Sequence, residues 1–178
     1  MQIHDLEFEP YISPEKIQVR IRELGIELNK KFVGKDPVFI IVLNGAFIFA
    51  ADLIRQFNGN CETIFTRIKS YIGTSSGEIH AFSGINSNVK NRHIVIIEDI
   101  IDTGKTIFYL HQEIEKLEPA TITTIALLQK NIPRLNSFNA DLIGFEIPDV
   151  FVVGYGLDYE EKGRNLEAIW AVVEKLEV

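Results

Sequence analysis

The stretch IVIIEDIIDTGKT, residues 94–106, has the pattern of a buried apolar strand that ends in acids and turns through a glycine into a helix. Glu98 and Asp99 stand where the β-branched run stops, and residues 103–106 open a helical pattern that continues to Leu117. Amides at a helix start lack intrahelical partners and lie at the positive end of the helix dipole, so they bind phosphate well. Carboxylates beside such a cradle can accept ribose hydroxyls or hold Mg²⁺ through water. The stretch therefore predicts a site for nucleotide chemistry.

A plainer interpretation fits the same residues. Acids and a glycine are common at strand ends in doubly wound sheets, where they can simply solvate the strand terminus. Two other phosphate-binding motifs are excluded by spacing. A Walker A loop needs a glycine where Asp99 stands, and the Gly154-Tyr155-Gly156 turn is followed by Tyr159 where a dinucleotide fingerprint needs its third glycine.

Composition limits the class of protein. With 178 residues, 46% hydrophobic and 24% charged, the chain fits one compact domain with a sizeable core. Its single cysteine, Cys61, excludes an internal disulfide and a cysteine-based metal cage. The chain has no apolar run long enough for a membrane span and no signal-peptide pattern, so we expect a cytoplasmic protein without a membrane partner. A net charge of -7, from 25 acidic and 18 basic residues, argues against nucleic-acid binding.

The order of elements predicts an α/β fold. The Ser13-Pro14 pair is typical of a helix start, and apolar residues recur at helical spacing from there to Phe32. Strands alternating with helices favour right-handed crossovers and a mostly parallel sheet. The polar segment 72–92 lacks a core pattern and predicts either a functional loop or a plain surface excursion. The other predicted elements are a helix at 46–57 and strands at 38–43, 63–70, 94–99, 122–128, 142–147 and 151–155.

Residues 94–106 resemble the phosphoribosyl-pyrophosphate signature of the type I phosphoribosyltransferases. The run Glu-Asp-Ile-Ile-Asp-Thr-Gly within them is similar to the sequence of the hypoxanthine-guanine branch. Further motifs follow the order of that family, and the resemblance runs from about residue 38 to residue 166. It implies a single-domain type I phosphoribosyltransferase fold over residues 1–178, with a core at about 36–155. A small hood would come from the N-terminal segment, a lid at 70–92 and the C-terminal segment. The other matching motifs are residues 42–53, Ser70-Tyr71 with 75–77, 127–130, 145–159 and 164–166.

The resemblance also implies an activity. The chain would transfer the 5-phosphoribosyl group from phosphoribosyl pyrophosphate to hypoxanthine, and to guanine, in purine salvage, as a Mg²⁺-dependent homodimer or homotetramer. A xanthine-preferring enzyme is one alternative, and a regulator that senses phosphoribosyl pyrophosphate or binds RNA on the same fold is another. Asp102, Lys130 and the Ser70-Tyr71 pair occur together in a chain without excess positive charge, which favours an enzyme over a regulator.

The resemblance assigns roles residue by residue. Asp102 would be catalytic, accepting or steering the purine proton. The Lys130 ammonium would donate a hydrogen bond to the 6-oxo group of a purine. On adenine it would face the 6-amino group, which is also a donor, and this mismatch would select 6-oxopurines over adenine. The ribose and 5′-phosphate residues would be Glu98, Asp99, Asp102, Thr103, Gly104, Lys105 and Thr106; the pyrophosphate residues Asn44, Gly45 and Arg164; the purine residues Lys130, Phe151, Val152 and Asp158; the lid residues Ser70 and Tyr71; and the Mg²⁺ ligands Glu98, Asp99 and Asp158.

Some of these residues have simpler explanations, and the chain departs from the family in three places. A strand-end lysine, a core aromatic and solvated loop charges would account for Lys130, Phe151 and Arg164 taken singly. Asn44 stands where many relatives have lysine, Gly163 where an aromatic is common, and residues 167–170 replace a proline-containing run often found after Arg-Asn-Leu. The resemblance implies that the loop at Asn44 binds pyrophosphate through backbone amides and has a cis peptide before Asn44, so the loop's role should survive without the lysine.

Overall fold

The computed structural model describes residues 1–70, 79–83, 85, 89–133 and 138–173. Within them, no helix is long and apolar enough to cross a membrane. The elements in chain order are β1 (Gln2–Ile3), β2 (Leu6–Ile12), α1 (Pro14–Phe32), β3 (Val38–Leu43), α2 (Phe47–Ile54), β4 (Glu62–Ser70), β5 (Ile79–Ser83), β6 (His93–Ile101), α3 (Lys105–Glu115), β7 (Thr121–Lys130), β8 (Leu142–Ile147), β9 (Val152–Val153) and β10 (Ile169–Val172).

The larger sheet confirms the predicted α/β class. Its strand order is β5-β4-β3-β6-β7-β8, and all neighbours pair in parallel except β5, which is antiparallel to β4. The chain moves from β3 outward to β4, then returns to place β6 on the other side of β3. Ligands of such sheets bind where the strand order reverses, outside the carboxyl ends of the strands. Here that point lies between the ends of β3 and β6.

Helices cover both faces of this sheet. In β3, Phe39 and Ile41 belong to the core beneath α1 and α2, whereas Val38, Ile40 and Val42 belong to the core beneath α3. All five side chains are buried, which explains why β3 has an unbroken apolar sequence rather than an alternating one.

The first helix forms as its sequence predicts. The Ser13 hydroxyl accepts a hydrogen bond from the Lys16 amide at 3.4 Å, and Pro14 occupies the first helical position. The predicted apolar stripe is the buried face of the helix and packs against the larger sheet. Its buried side chains are Ile17, Ile21, Leu24, Leu28 and Phe32.

A smaller antiparallel sheet joins the two ends of the chain. Its order is β1-β2-β10-β9, so the N-terminal β2 and the C-terminal β10 are neighbours. Ile3, Phe8 and Val153 form its separate small core. Sequence analysis predicted neither β2 nor β10. Because β9 directly follows Phe151, this sheet is anchored next to the predicted purine residues.

Several predicted boundaries are wrong, and one strand was missed. The helix predicted at 46–57 spans only Phe47–Ile54. Strand β6 continues to Ile101, so Glu98 and Asp99 lie inside the strand rather than at its end. The strand predicted at 151–155 is only Val152–Val153, because the following turn takes positive φ angles. The segment 72–92, predicted as loop, contains β5, an edge strand that pairs with β4.

Candidate active site

Two adjoining cavities open at the point where the strand order reverses. The first, about 130 Å³, is lined by residues 98–107. The second, about 250 Å³, is lined by residues from β6, from the end of β7 and from the segment around β9. Asp99, Ile100 and Asp102 line both cavities. A ligand with two parts could therefore occupy both cavities at once, with its middle against these three residues.

The first cavity has the form of a phosphate cradle. Gly104 takes a left-handed conformation with φ 74° and is the N-cap residue of α3, so the N-cap position has no side chain to cap the helix. The Thr103 hydroxyl accepts only a long hydrogen bond, 3.5 Å, from the Lys105 amide. The amides at the start of α3 are therefore available to an anion. All four predicted residues, Thr103, Gly104, Lys105 and Thr106, line this cavity.

An acid pair forms one wall of the same cavity. Glu98 is buried, and its Oε2 is a buried atom without a hydrogen-bond partner. Burial, and then repulsion from Asp99, raises the pKa of Glu98 well above its usual value, and burial also raises the pKa of Asp99. Unpartnered buried oxygens of this kind are uncommon in folded proteins and suit a ligand hydroxyl or a cation.

The donor set fits Mg²⁺ only in part. Magnesium prefers oxygen ligands in an octahedral shell and usually retains water and substrate oxygens, which suits a pair of carboxylates. No group of three or more His, Cys, Asp and Glu side chains converges within the described part of the chain, so substrate and water would complete the shell. The third predicted ligand, Asp158, already holds Arg164 Nη2 at 2.9 Å and accepts the Glu161 amide at 2.8 Å.

An ion pair spans the second cavity. Lys130 Nζ lies 3.2 Å from Asp102 Oδ2 and 2.8 Å from Asp149 Oδ1. The Lys130 side chain is only 11% exposed, whereas that of Asp102 is 51% exposed. Burial lowers the pKa of Lys130, but hydrogen bonds to Asp149 and Asp102 outweigh it and leave the pKa above its usual value. Lys130 therefore stays charged and points toward the predicted base.

Phe151 presents a ring to the second cavity. It is 42% exposed, unlike the buried Val152 and Val153 that follow it. Tyr159 packs edge-on against the Phe151 ring, with centroids 5.6 Å apart, and Phe8 lies 6.2 Å away. The core interpretation thus suits the two valines but not Phe151. The Phe151 ring packs against Tyr159 and Phe8 and keeps an exposed surface that is available for stacking.

The loop after β3 lies against the acid pair. The Leu43–Asn44 peptide is cis, as the resemblance implied. A Cβ on Gly45 would come within 1.5 Å of Asp99 Oδ2, and a Cβ on Gly156 would come within 2.1 Å of the Gly45 carbonyl oxygen. Arg164 Nη1 donates to the Gly156 carbonyl at 3.0 Å. The three predicted pyrophosphate residues, Asn44, Gly45 and Arg164, therefore converge beside Asp99.

The predicted lid cannot be placed in the same way. Ser70 is the last residue of β4, while Tyr71 lies outside the described residues. Sequence analysis also missed neighbours of the site. Asp149 holds Lys130, and Arg67 Nη2 donates to Asn44 Oδ1 at 2.7 Å. Both contacts join residues about 20 positions apart on different strands or loops, so no local sequence pattern marks them.

Comparison with known proteins gives consistent matches. The family described as "Phosphoribosyl transferase domain" matches residues 13–160. The hypoxanthine-guanine phosphoribosyltransferase of Bacillus subtilis (strain 168) is 43% identical over 171 residues, covering 95% of this chain and 94% of that protein. Among solved structures, a hypoxanthine-guanine phosphoribosyltransferase of Bacillus anthracis has a TM-score of 0.84 at 34% identity, covering 95% of this chain and 98% of the other. A hypoxanthine phosphoribosyltransferase of Staphylococcus aureus has a TM-score of 0.85 at 33% identity, covering 95% and 92% respectively.

Proposed function

The chain belongs to the phosphoribosyl transferase family, and from its site we propose that it transfers the 5-phosphoribosyl group of phosphoribosyl pyrophosphate to hypoxanthine and guanine. The products are the purine mononucleotide and pyrophosphate, and the activity belongs to purine salvage. One observation carries this proposal beyond the family match: the phosphate cradle and the cavity with Lys130 and Phe151 share Asp99, Ile100 and Asp102. A ribose lying across these residues would have its 5′-phosphate on one side and the purine on the other.

The 5′-phosphate and ribose are assigned to β6 and the start of α3. Backbone amides after Gly104 bind the phosphate, and these amides do not titrate near neutral pH, so their binding does not depend on it. Glu98 and Asp99 accept the ribose hydroxyls, which supplies the partner that the buried Glu98 Oε2 lacks. Pyrophosphate then lies against Gly45 and Arg164, whose guanidinium is shaped to bind two anionic oxygens.

A bound Mg²⁺ would neutralise the pyrophosphate as it leaves, and Glu98 and Asp99 are the residues that would hold it. Binding the departing anion at Arg164 requires that guanidinium to share its contacts with Asp158 and Glu161. Asp158 lines the second cavity, and we assign it both to purine binding and to a second metal.

Asp102 and Lys130 act on the purine. The attacking purine nitrogen forms a bond to the sugar carbon as the bond from that carbon to pyrophosphate breaks, and Asp102 takes the proton that this nitrogen loses. Lys130 donates to the 6-oxo oxygen, and its pairing with Asp149 and Asp102 keeps it charged for that task. Phe151 stacks on the base, beside Val152.

Three further assignments belong to the same proposal. We place one domain over residues 1–178, with a core at about 36–155 and a hood from the N-terminal segment, the lid at 70–92 and the C-terminal segment. The smaller sheet, which pairs β2 with β10, supports this hood. We place Ser70 and Tyr71 in a lid that excludes water during the reaction. We infer a homodimer or homotetramer, and sedimentation of the purified protein tests this directly.

The decisive experiment supplies phosphoribosyl pyrophosphate and Mg²⁺ with each of four bases, hypoxanthine, guanine, xanthine and adenine, and measures mononucleotide formation at steady state. We expect turnover with hypoxanthine and guanine and little with adenine. Turnover with xanthine above both would indicate the xanthine-preferring enzyme. Tight binding of phosphoribosyl pyrophosphate without any turnover would contradict the proposal and favour a sensor.

A further inference from the structure

A hydrogen-bonded cluster behind the pyrophosphate loop takes no part in the proposed chemistry. The Tyr155 hydroxyl donates to Asp52 Oδ2, and Gln18 Nε2 donates to the same oxygen at 2.9 Å. Arg55 pairs with the other oxygen, Oδ1. Tyr155 is buried, and the Asp52 side chain is only 17% exposed. The cluster therefore ties α1, α2 and the turn at 154–156 together at one carboxylate.

This turn touches the active site on two sides. Gly154, Tyr155 and Gly156 all have positive φ angles, of 101°, 51° and 105°. The Gly156 amide donates to the Arg164 carbonyl at 2.9 Å, and the Arg164 guanidinium donates back to the Gly156 carbonyl at 3.0 Å. Gly156 also packs directly on the Gly45 carbonyl. The position of the turn thus sets the position of both Arg164 and Gly45.

The contacts form a closed ring. Gly45 lies in the loop that runs directly into α2 at Phe47, and Asp52 lies on that helix. Asp52 holds Tyr155, Tyr155 is joined to Gly156, and Gly156 contacts Gly45. Removing the Tyr155–Asp52 hydrogen bond would open this ring at its direct side-chain link and leave Tyr155 only the longer contact at 3.5 Å from Gln18 Nε2 among the described side-chain hydrogen bonds of its hydroxyl. The loop and Arg164 could then shift apart without any loss of a residue that touches substrate.

The charge state of the ring supports a fixed geometry. Burial raises the pKa of Asp52, but the hydrogen bonds from Tyr155, Gln18 and Arg55 outweigh it and leave the pKa below its usual value. Burial, and then Asp52, raises the pKa of the Tyr155 hydroxyl. The pair therefore remains a carboxylate and a neutral donor at physiological pH. Charge-assisted hydrogen bonds of this kind are stronger than neutral ones.

We infer that Tyr155 and Asp52 are positioning residues for the pyrophosphate end of the site, acting through the turn at 154–156 on Gly45 and Arg164. The inference rests on the proposed function, because it takes pyrophosphate as the ligand of this loop. Neither residue lines either of the two cavities, so neither is expected to touch substrate.

The first test is Tyr155→Phe, which removes one hydroxyl and keeps the ring. Because small misplacements of binding groups are costly, we expect the Kd of phosphoribosyl pyrophosphate, measured by calorimetry with Mg²⁺, to rise by about 3- to 10-fold. The Kd of inosine monophosphate, which lacks pyrophosphate, should change by less than about twofold, and kcat should change less than KM for phosphoribosyl pyrophosphate. A merely structural role for Tyr155 would not separate the two ligands in this way.

Asp141→Asn is the matched control. Asp141 Oδ2 accepts the Thr124 amide at 2.7 Å, near the start of β7 and so at the end of the sheet opposite the site. Its substitution should lower the melting temperature and leave both Kd values unchanged. If Tyr155→Phe behaves like Asp141→Asn, or weakens both ligands equally, the positioning role is wrong.

Asp52 and Gln18 provide the second set of variants, which also serves if Tyr155→Phe folds poorly. Asp52→Asn retains an oxygen that can accept from Tyr155, so its effect on phosphoribosyl pyrophosphate should be smaller than that of Asp52→Ala. Gln18→Ala should raise that Kd less than either. Combining Asp52→Ala with Tyr155→Phe should add little to Asp52→Ala alone, since both open the same ring; additive effects would overturn the inference. Failure of the unaltered protein to form inosine monophosphate would instead contradict the proposed function.

Discussion

Replacing Gly45 by alanine tests the geometry of the site most directly. The backbone of Gly45 does not have a positive φ, so an alanine adds a methyl group without straining the main chain. That methyl would lie 1.5 Å from Asp99 Oδ2 and 2.4 Å from Asp99 Cγ. Restoring an ordinary contact distance of 3.4 Å requires 1.9 Å of movement, the difference between the two distances, by either the loop or the carboxylate.

The magnitude follows from that displacement. Overpacking of a well-packed contact costs about 1–3 kcal/mol. If the cost falls on substrate binding, it corresponds to about 5- to 150-fold in the affinity for phosphoribosyl pyrophosphate. Movement of the loop should raise KM for that substrate, whereas movement of Asp99 away from the ribose should lower kcat as well. Gly45→Val, with a larger side chain, should be worse on both counts.

Steady-state kinetics with varied phosphoribosyl pyrophosphate, together with thermal unfolding, measures the effect. Gly25→Ala is the matched control, because a Cβ there would come within 2.4 Å of the Gln56 Cβ at the contact between α1 and the end of α2. It should destabilise the fold and leave KM unchanged. If Gly45→Ala keeps KM and kcat within about twofold of the unaltered enzyme, Gly45 does not lie between Asp99 and the pyrophosphate.

Four other substitutions test the remaining assignments. Asp102→Asn should lower kcat by about 10- to 10⁴-fold with little change in mononucleotide affinity, and single-turnover rates that do not change would exclude it as the base. Lys130→Ala should weaken use of 6-oxopurines by roughly 1–3 kcal/mol in kcat/KM, and adenine less; efficient use of adenine by the unaltered enzyme would contradict its role. Asn44→Lys should raise the affinity for phosphoribosyl pyrophosphate by at most about tenfold, because it adds one charge-assisted contact but loses the hydrogen bond from Arg67. A larger gain in calorimetry would show that an ammonium at this position contributes more to binding than the backbone of the loop. Without ligand or Mg²⁺ at neutral pH, Glu98→Gln should melt at a higher temperature than the unaltered protein. Burial and Asp99 raise the pKa of Glu98 in the folded state, so ionisation of Glu98 destabilises the fold as pH rises through that pKa. The difference in melting temperature should vanish below the ordinary pKa of 4.5.

The parts of the fold that depend on local pattern were predictable. Ser13 and Pro14 mark the start of α1, the apolar run at 38–43 is β3, and Gly104 takes the left-handed turn before α3. The smaller sheet was not predictable, because β2 and β10 are about 160 residues apart in the chain. Pro10 also argues against a strand. It is tolerated because β1 pairs only with Leu6 and Glu7, which leaves Pro10 in a part of β2 with one neighbouring strand.

The candidate site divides in the same way. Glu98, Asp99 and Asp102 are contiguous with a phosphate-binding turn, so their chemistry can be inferred from a single stretch of sequence. The partners that fix the other side chains come from distant elements. Asp149 reaches Lys130 across a loop, and the partner of Asp52 is Tyr155, which lies 103 positions later. Such pairs depend on how elements pack, and packing is not encoded in any local spacing.

The two cations of the site are already paired with acids, which affects how an acidic chain would bind an anionic substrate. Lys130 already has Asp102 and Asp149 as partners, and Arg164 already has Asp158 and Glu161. Neither cation therefore offers its full charge to phosphate, and binding must rearrange these pairs. Backbone amides after Gly104 do not have this competition, which makes them the more dependable anion ligands. Two of the four competing acids, Asp102 and Asp158, are those we assign to the proton and to a second metal, so removing them to strengthen binding would remove the chemistry.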